Sequence, residues 1–225
     1  METKVRTILL EKSAFADNNA EADALRAKLK AQGVYLVNVM SSPGAGKTST
    51  LTSLINQLKD KFRIAVMEAD IDSDVDAKSI VKNTGVSSIQ LHTGGMCHLD
   101  AYMTETGLNA VDGKSFDLVF LENVGNLVCP AEFDTGACLD IVILSTSEGD
   151  DKPLKYPLVF SKCDLVIISK IDAMKFFTFD YDKCVENIKM RNPDATVIAV
   201  SNRTGEGIDA LAQYFENKVN KFKEN

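Results

Sequence analysis

Hydrophobic and polar positions alternate along this chain in two regular ways, which predict strands and helices in turn. Runs rich in Val, Ile and Leu have the length of buried strands and lie at 34–41, 64–69, 88–92, 117–122, 139–146, 164–169 and 196–201. Helical patterns lie between and after them, near 47–59, 74–83, 97–108, 153–161, 179–191 and 206–222. Strands that are apolar on both faces and separated by helices indicate an α/β protein. We predict a mostly parallel, seven-stranded sheet with helices on both faces.

The stretch before the first predicted strand has the pattern of a leading helix. That helix is predicted over 17–33, with Asp17 or Asn18 as its cap and Gly33 as its stop. A chain of 225 residues suits one domain, and no repeat or internal linker divides it. We therefore expect residues 1–33 to be a helical lead-in that belongs to the same domain as residues 34–225.

Composition and charge mainly exclude certain partners and structural frameworks. The net charge of −7, without a strong basic cluster, argues against a partner that is duplex nucleic acid. No apolar run is long enough to span a membrane or to act as a signal peptide, so we expect a cytoplasmic protein without a membrane partner. Five cysteines are an odd number, which does not suit a disulfide framework.

The most informative motif connects the first predicted strand to the helix that follows. Residues 41–48 read Ser-Ser-Pro-Gly-Ala-Gly-Lys-Thr, which is typical of a phosphate-binding loop, although Ser41 stands where the general pattern has Gly. Small residues let backbone N–H groups converge on phosphate oxygens, Lys47 supplies positive charge, and Thr48 supplies a hydroxyl for Mg²⁺. The residues expected to bind the nucleotide here are Pro43, Gly44, Ala45, Gly46, Lys47, Thr48 and Ser49.

Acidic residues follow two further strands and extend the candidate site. The order Glu122, two spacers and Gly125 is typical of a γ-phosphate sensor, in which the acid acts on Mg²⁺ and the glycine N–H meets the phosphate. Asp70 and Asp76 are further candidates for Mg²⁺, although a solvated acidic helix start explains that cluster equally well. We expect hydrolysis chemistry to depend on Lys47, Thr48, Asp70 and Glu122.

Residues 169–172, Ser-Lys-Ile-Asp, resemble the Asn-Lys-x-Asp guanine motif of GTPases, with Ser169 in place of Asn. The Asp172 carboxylate can accept two hydrogen bonds from guanine, a donor pair that adenine lacks, and Lys170 can lie along the base. This favours GTP and GDP over adenine nucleotides, while the alternative role of Asp172 is a helix cap. Ser201 and Asn202 resemble a second base-contacting loop, but turn chemistry explains them nearly as well.

Cysteine and histidine form a possible second site. Cys97 and His98 follow the third strand, and Cys129 lies seven residues after Glu122, in the loop expected to sense the γ-phosphate. Thiolate and imidazole suit Ni²⁺ and Zn²⁺, and three groups leave an open position or a site shared between two chains. The alternative is core packing, the role that we assign to the other cysteines, Cys138, Cys163 and Cys184.

Three longer stretches resemble one family, over about residue 15 to the C-terminus. Residues 95–101 read Gly-Met-Cys-His-Leu-Asp-Ala, residues 122–130 read Glu-Asn-Val-Gly-Asn-Leu-Val-Cys-Pro, and residues 148–157 read Glu-Gly-Asp-Asp-Lys-Pro-Leu-Lys-Tyr-Pro. They resemble the HypB family, the P-loop GTPases of hydrogenase nickel insertion. The resemblance implies a slow GTPase that delivers Ni²⁺ during maturation of [NiFe]-hydrogenase, with the hydrogenase large subunit as its client.

The same resemblance implies a set of partners and ligands. The implied partners are a second copy of the chain, in a homodimer promoted by GTP, and a HypA-type nickel chaperone. Cys97, His98 and Cys129 are implied as ligands of Ni²⁺ or Zn²⁺ near the dimer interface. Lys155 is implied as a lysine that reaches the partner's nucleotide. The family's N-terminal Cys-x-x-Cys-Gly-Cys motif and histidine-rich tract are missing, since His92 and His98 are the only histidines. Nickel delivery rather than storage is therefore expected.

Three other functions remain open. A urease-type nickel GTPase of the UreG kind would carry Cys-Pro-His instead of the separate Cys97-His98 and Cys129-Pro130 pairs. A small-molecule kinase would show an Arg-rich lid, which we do not find. The third alternative is a GTP-dependent dimerising scaffold whose cysteines only pack.

Overall fold

The structure, a computed structural model, describes residues 6–9, 18–70, 74–111 and 116–224. Within those residues the strands are β1 (Arg6–Leu9), β2 (Tyr35–Ser41), β3 (Ile64–Asp70), β4 (Ser87–His92), β5 (Leu118–Glu122), β6 (Leu139–Ser145), β7 (Leu165–Ser169) and β8 (Thr196–Ala199). They form one sheet in the order β1-β4-β3-β5-β2-β6-β7-β8, and each neighbouring pair is parallel. The predicted α/β fold with a parallel sheet is confirmed.

Helices cover both faces of this sheet. They are α1 (Asn18–Gln32), α2 (Lys47–Leu58), α3 (Val75–Thr84), α4 (Ala101–Ala110), α5 (Cys129–Glu132), α6 (Lys152–Lys155), α7 (Pro157–Lys162), α8 (Tyr181–Arg191) and α9 (Ile208–Glu224). Leu54 of α2 and Phe215 of α9 belong to a core with strand residues such as Phe120. On the opposite face, Leu25 of α1 and Met103 of α4 belong to a second core. None of the helices within the described ranges is both long and apolar enough to cross a membrane.

All seven predicted strands are present, but the sheet has one strand more than the sequence analysis predicted. Strand β1 pairs with β4 at the edge of the sheet, in a register that runs from Arg6 opposite Ile89 to Leu9 opposite His92. The description of residues 1–33 as a purely helical lead-in is therefore wrong for Arg6–Leu9. Four residues with a neighbour on one side only carry too little periodicity to separate a strand from a loop. The predicted helix over 17–33 occurs as Asn18–Gln32, and Asp17 lies outside the described residues.

Two helices differ from their predicted bounds for local reasons. The helix predicted from residue 97 begins at Ala101, because the Asp100 side chain accepts the Met103 N–H and caps it there. The helix predicted over 153–161 is split into α6 and α7 at Tyr156, where Pro157 has no N–H to continue the first helix. The first difference matters for function, since it leaves Cys97 and His98 in a loop.

The carboxyl ends of β2, β3, β5 and β7 all lie at one edge of the sheet, because the strands are parallel. In open α/β sheets, ligands bind in the crevice beyond that edge. The phosphate-loop, acidic and base-motif residues identified in the sequence follow these four strands, so the fold brings them to one side of the molecule.

A candidate nucleotide and metal site

The phosphate loop connects β2 to α2 through two glycines with left-handed backbone. Gly44 has φ +74° and Gly46 has φ +97°, a region that side chains other than glycine rarely adopt. Lys47 begins α2 and its Nζ donates to the Ser41 Oγ over 3.1 Å. The loop therefore places the N-terminus of α2 and the Lys47 ammonium together, which is the arrangement that binds phosphate.

Glu122 lies beside the loop at the end of β5. Its Oε1 accepts the Thr48 hydroxyl over 2.9 Å, whereas its Oε2 is buried without a partner among the described residues. Burial raises the pKa of this carboxyl to about 7, and the nearby Lys47 ammonium opposes that change. A divalent cation between Thr48 and Glu122 would give the Glu122 Oε2 a partner, so these two residues fit the predicted Mg²⁺ site.

Two other predicted Mg²⁺ residues lie near enough to Glu122 to act on it electrostatically. Asp70 ends β3, and Asp76 is in the first turn of α3; both act electrostatically to raise the pKa of Glu122. Their role at Mg²⁺ therefore stays a prediction.

A third acid, Glu68, was missed by the sequence analysis. Glu68 lies opposite Glu122 on neighbouring strands, its Oε2 is buried without a partner in the described part of the chain, and burial raises its pKa to about 8. The available signal was an acid inside the apolar run of β3.

The segment after Glu122 lies directly against the phosphate loop. Asn126 forms an isolated bridge with Ser41, and a Cβ added to Gly125 would lie 3.2 Å from the Pro43 Cγ. The absence of a side chain at Gly125 therefore permits the close approach. Movement of either segment is expected to affect the other.

The predicted guanine motif is joined to the phosphate loop from the other side. The Ser169 hydroxyl donates to the Ala45 carbonyl over 2.7 Å, and the Lys170 Nζ donates to the Gly44 carbonyl over 2.7 Å. Lys170 has φ +61°, the only positive φ at a non-glycine position among the described residues. Strained backbone of this kind is characteristic of functional loops. Ser169, which replaces the usual Asn, thus still links the two loops.

The end of the base motif meets the second base loop. The Ser201 hydroxyl donates to the Asp172 Oδ1 over 2.7 Å and accepts the Thr204 N–H over 3.1 Å. The Asn202 side chain donates to the Thr50 Oγ1 of α2 over 2.9 Å. Ser201 and Asn202, the weaker predictions of the sequence analysis, are therefore brought to the same site as Asp172, whose carboxylate Ser201 helps to orient.

The two candidate metal-binding segments also meet in the fold. The thiol of Cys129 lies close enough to that of Cys97 to raise the pKa of Cys97, and burial raises it further. The Cys97 Sγ lies 3.9 Å from the His98 Nδ1, and the His98 ring stacks on Phe133 with centroids 3.7 Å apart. Among the residues that the structure describes, no three or more His, Cys, Asp or Glu side chains are arranged to hold a metal within one chain.

The remaining candidates lie apart from these contacts. Lys155 is exposed and pairs at 2.7 Å with Asp151, the residue that directly precedes α6. Cys163 and Cys184 are buried and Cys138 is half-buried, and none forms a disulfide. Burial raises the pKa of all three thiols, to about 12 for Cys163 and Cys184, which is the behaviour of core cysteines.

A phosphate loop, an acid bonded to its Thr and a base motif joined to its backbone define a P-loop nucleotide-binding protein. Comparison with known families agrees, since the model "CobW/HypB/UreG, nucleotide-binding domain" matches residues 35–199. The chain is 43% identical to hydrogenase maturation factor HypB of Rhizobium leguminosarum bv. viciae over 211 residues, and this aligned region covers 94% of this chain and 70% of that protein. It is 42% identical to hydrogenase/urease maturation factor HypB of Helicobacter hepaticus over 217 residues, and this aligned region covers 95% of this chain and 88% of that protein. The chain belongs to the HypB family.

Solved structures of relatives have the same fold. Helicobacter pylori HypB, crystallised in complex with nickel, superposes with a TM-score of 0.86 at 36% identity over 92% of this chain and 96% of that one. Archaeoglobus fulgidus HypB superposes with a TM-score of 0.84 at 32% identity over 91% of this chain and the whole of the other, 100%. The resemblance found in the sequence is therefore confirmed along nearly the whole chain.

Proposed function

We propose that this protein hydrolyses GTP slowly and delivers nickel during maturation of [NiFe]-hydrogenase. GTP binds at the phosphate loop and the Asp172 loop, and Thr48 and Glu122, aided by Asp70 and Asp76, hold Mg²⁺. Cys97, His98 and Cys129 bind Ni²⁺, or Zn²⁺, as cargo. The proposal is supported by the membership of the HypB family and by the nickel that a related HypB holds in its crystal.

One observation carries the proposed coupling between nucleotide and metal. The segment from Glu122 to Cys129 touches the phosphate loop at one end and the thiol of Cys97 at the other. A change in its position when the γ-phosphate leaves would therefore change the relative position of the two sulfurs. A tenfold loss of metal affinity requires only about 1.4 kcal/mol of differential binding.

The incomplete metal set supports a site that is shared between two copies of the chain. The two sulfurs and one imidazole are not arranged around a single metal position within the described part of one chain, and they are one ligand short of a closed site, so a partner's side chains or a receiving protein would complete it. We propose that GTP promotes the homodimer, that Lys155 reaches the nucleotide of the partner, and that a HypA-type chaperone and the hydrogenase large subunit exchange nickel with this dimer. Exposed Val128, beside Cys129, and exposed Leu158 are available for such contacts.

The test is a calorimetric Ni²⁺ titration of protein that holds GDP or a non-hydrolysable GTP analogue. We expect the two dissociation constants to differ at least fivefold in the wild type, and the difference to disappear in Cys129→Ala together with most of the affinity. Cys138→Ala is the matched control, because its half-buried thiol lies outside the site, and it should behave as the wild type. Equal nickel affinity in both nucleotide states would remove the coupling, and nickel binding unaffected by Cys129→Ala would favour the dimerising scaffold instead.

A further inference from the structure

A continuous chain of hydrogen bonds runs beneath the phosphate-sensing segment, through residues that the nucleotide site does not use. Asn38 of β2 donates from its Nδ2 to the Asp140 Oδ1 of β6 over 2.8 Å, and its Oδ1 accepts the Asn123 Nδ2 over 3.0 Å. The Asn123 Oδ1 then accepts the Val124 N–H over 2.9 Å. Asn38 and Asn123 are 1% and 0% exposed, so the link between them is shielded from water.

The Asp140 carboxylate, at one end of this series of hydrogen bonds, determines which way the Asn38 and Asn123 amides are turned. Burial raises the pKa of Asp140 to about 6, so at neutral pH the group is ionised and can only accept hydrogen bonds. Asn38 must therefore turn its NH₂ towards Asp140 and its oxygen towards Asn123. Asn123 must in turn present its NH₂ to Asn38 and its oxygen to Val124. An apolar core at these positions would impose no such order.

The far end of the chain sets the backbone that faces the nucleotide. The Val124 N–H is directed inward to Asn123. The next residue is Gly125, which packs on Pro43 of the phosphate loop, so the bond to Asn123 fixes the backbone directly before that contact. The Asn123 N–H also continues the sheet by donating to the Val39 carbonyl over 3.0 Å. Side chain and backbone of Asn123 therefore fix the starting angle of the segment together.

Asp140 also faces a cavity that it shares with the part of the chain after Cys129. It lines a cavity of about 260 Å³ together with Pro130, Phe133 and Asp134. The same carboxylate is thus linked to the start of the sensing segment through Asn38 and shares a cavity with the residues that follow its end.

We propose that Asn38 and Asp140 are positioning residues of the γ-phosphate sensor, which hold Asn123 so that the Gly125 peptide is set against the phosphate loop before nucleotide binds. The inference rests on the proposed GTP-dependent function. Neither residue touches nucleotide. We expect their effect to be specific to the triphosphate. The α- and β-phosphates are bound by the phosphate loop itself, and the hydrogen bonds from Asp140 to Val124 do not involve that loop.

The test compares dissociation constants for GDP and for a non-hydrolysable GTP analogue, measured with fluorescent nucleotides. In Asp140→Leu, which leaves the Asn38 NH₂ without an acceptor, we expect the preference for the analogue over GDP to fall fivefold to tenfold, with GDP affinity changed less than twofold. Asn38→Val, a β-branched residue that suits a central strand, should have the same effect from the middle of the chain. Asp140→Asn retains an oxygen for Asn38 and should restore most of the preference.

Asp117→Leu is the control, because it removes a buried, ionised carboxylate from the opposite end of β5, away from the hydrogen bonds that join Asp140 to Val124. It should leave the preference unchanged. A purely structural role for Asp140 predicts equal weakening of both nucleotides, or none, and that result would overturn the inference while the proposed function stands. A wild-type protein that binds neither nucleotide would overturn the proposed function as well.

Discussion

In the proposed function, Asp172 is the residue that recognises the guanine base, and its surroundings already hold its carboxylate in place. Ser201 donates to one carboxylate oxygen, and the preceding Lys170 is anchored on the phosphate loop. Because a fixed acceptor loses little conformational freedom on binding, it discriminates well between bases that offer a donor pair and bases that do not.

At this scale we expect Asp172→Asn to weaken GDP binding at least tenfold and to improve binding of xanthosine diphosphate. The amide can donate to the 2-oxo group of xanthine, whereas it faces the 2-amino group of guanine with a donor. The measurement is competition against a fluorescent GDP. Asp182→Asn, an exposed acid in the first turn of α8, is the control and should not change either affinity. An Asp172→Asn protein that still prefers GDP would show that the carboxylate does not read the base.

Single residues with a fixed spacing were the most predictable part of the site. The placement of the phosphate loop, Glu122 and Asp172 at one edge of the sheet could be predicted, because each motif follows a strand end and defines its own local geometry. Glu68 and the Asn38–Asp140 link could not, since each depends on which strands lie side by side. In the sequence, Asn38 and Asp140 are 102 residues apart, and only the register of β2 with β6 makes them neighbours.

At the scale of elements, one carboxylate ties the start of β5 to both β3 and the last helix. The Asp117 Oδ2 accepts the Arg63 N–H over 2.8 Å, and its Oδ1 accepts the Lys223 Nζ of α9 over 2.6 Å. The hydrogen bonds from Arg63 are the largest of the effects that hold the pKa of Asp117 well below its usual range. These bonds connect three elements that are distant in sequence.

We expect Asp117→Asn to lower the free energy of unfolding by about 1–3 kcal/mol at pH 7. Because the folded pKa is depressed, the stabilisation by the carboxylate is present above its unfolded pKa of about 3.8 and is lost as pH falls below that value. Urea unfolding at pH 7 and pH 3 should therefore show a gap between wild type and variant that narrows in acid. Glu105→Gln, which breaks an exposed pair with Lys28, is the control with little effect at either pH. A gap of constant size would mean that packing, not charge, stabilises this corner.

Elements were predictable in kind but not at their ends. Seven strands follow from their apolar runs, whereas the start of α4 depends on a hydrogen bond from Met103 to Asp100 and the break between α6 and α7 on Pro157. The short edge strand β1 owes its existence to β4, to which it is paired, and so to a partner about 80 residues away along the chain that local pattern does not reveal. The loop position of Cys97 and His98 became evident only with the structure.

At the scale of the whole molecule, Lys155 tests whether function requires two chains. Among the described residues, Lys155 forms an ion pair with Asp151, and the short helix α6 that ends at Lys155 also presents Leu154 to solvent. We expect Lys155→Ala to reduce dimerisation in the presence of the GTP analogue at least threefold, measured by analytical ultracentrifugation, and to leave the GDP-bound protein unchanged. Lys189→Ala, an exposed lysine of α8, is the control. A wild-type protein that stays monomeric with the analogue would contradict the dimer model.

The central claim is that one segment, Glu122 to Cys129, senses the γ-phosphate and holds the metal. Thermodynamic linkage makes this claim reciprocal, since nickel must change the preference for nucleotide by the same factor by which nucleotide changes the affinity for nickel. The most direct measurement is therefore the ratio of GTP-analogue to GDP affinity of the wild type, with and without saturating Ni²⁺. We expect nickel to change this ratio at least fivefold, in agreement with the metal titration. A ratio that is the same with and without nickel would contradict the claim.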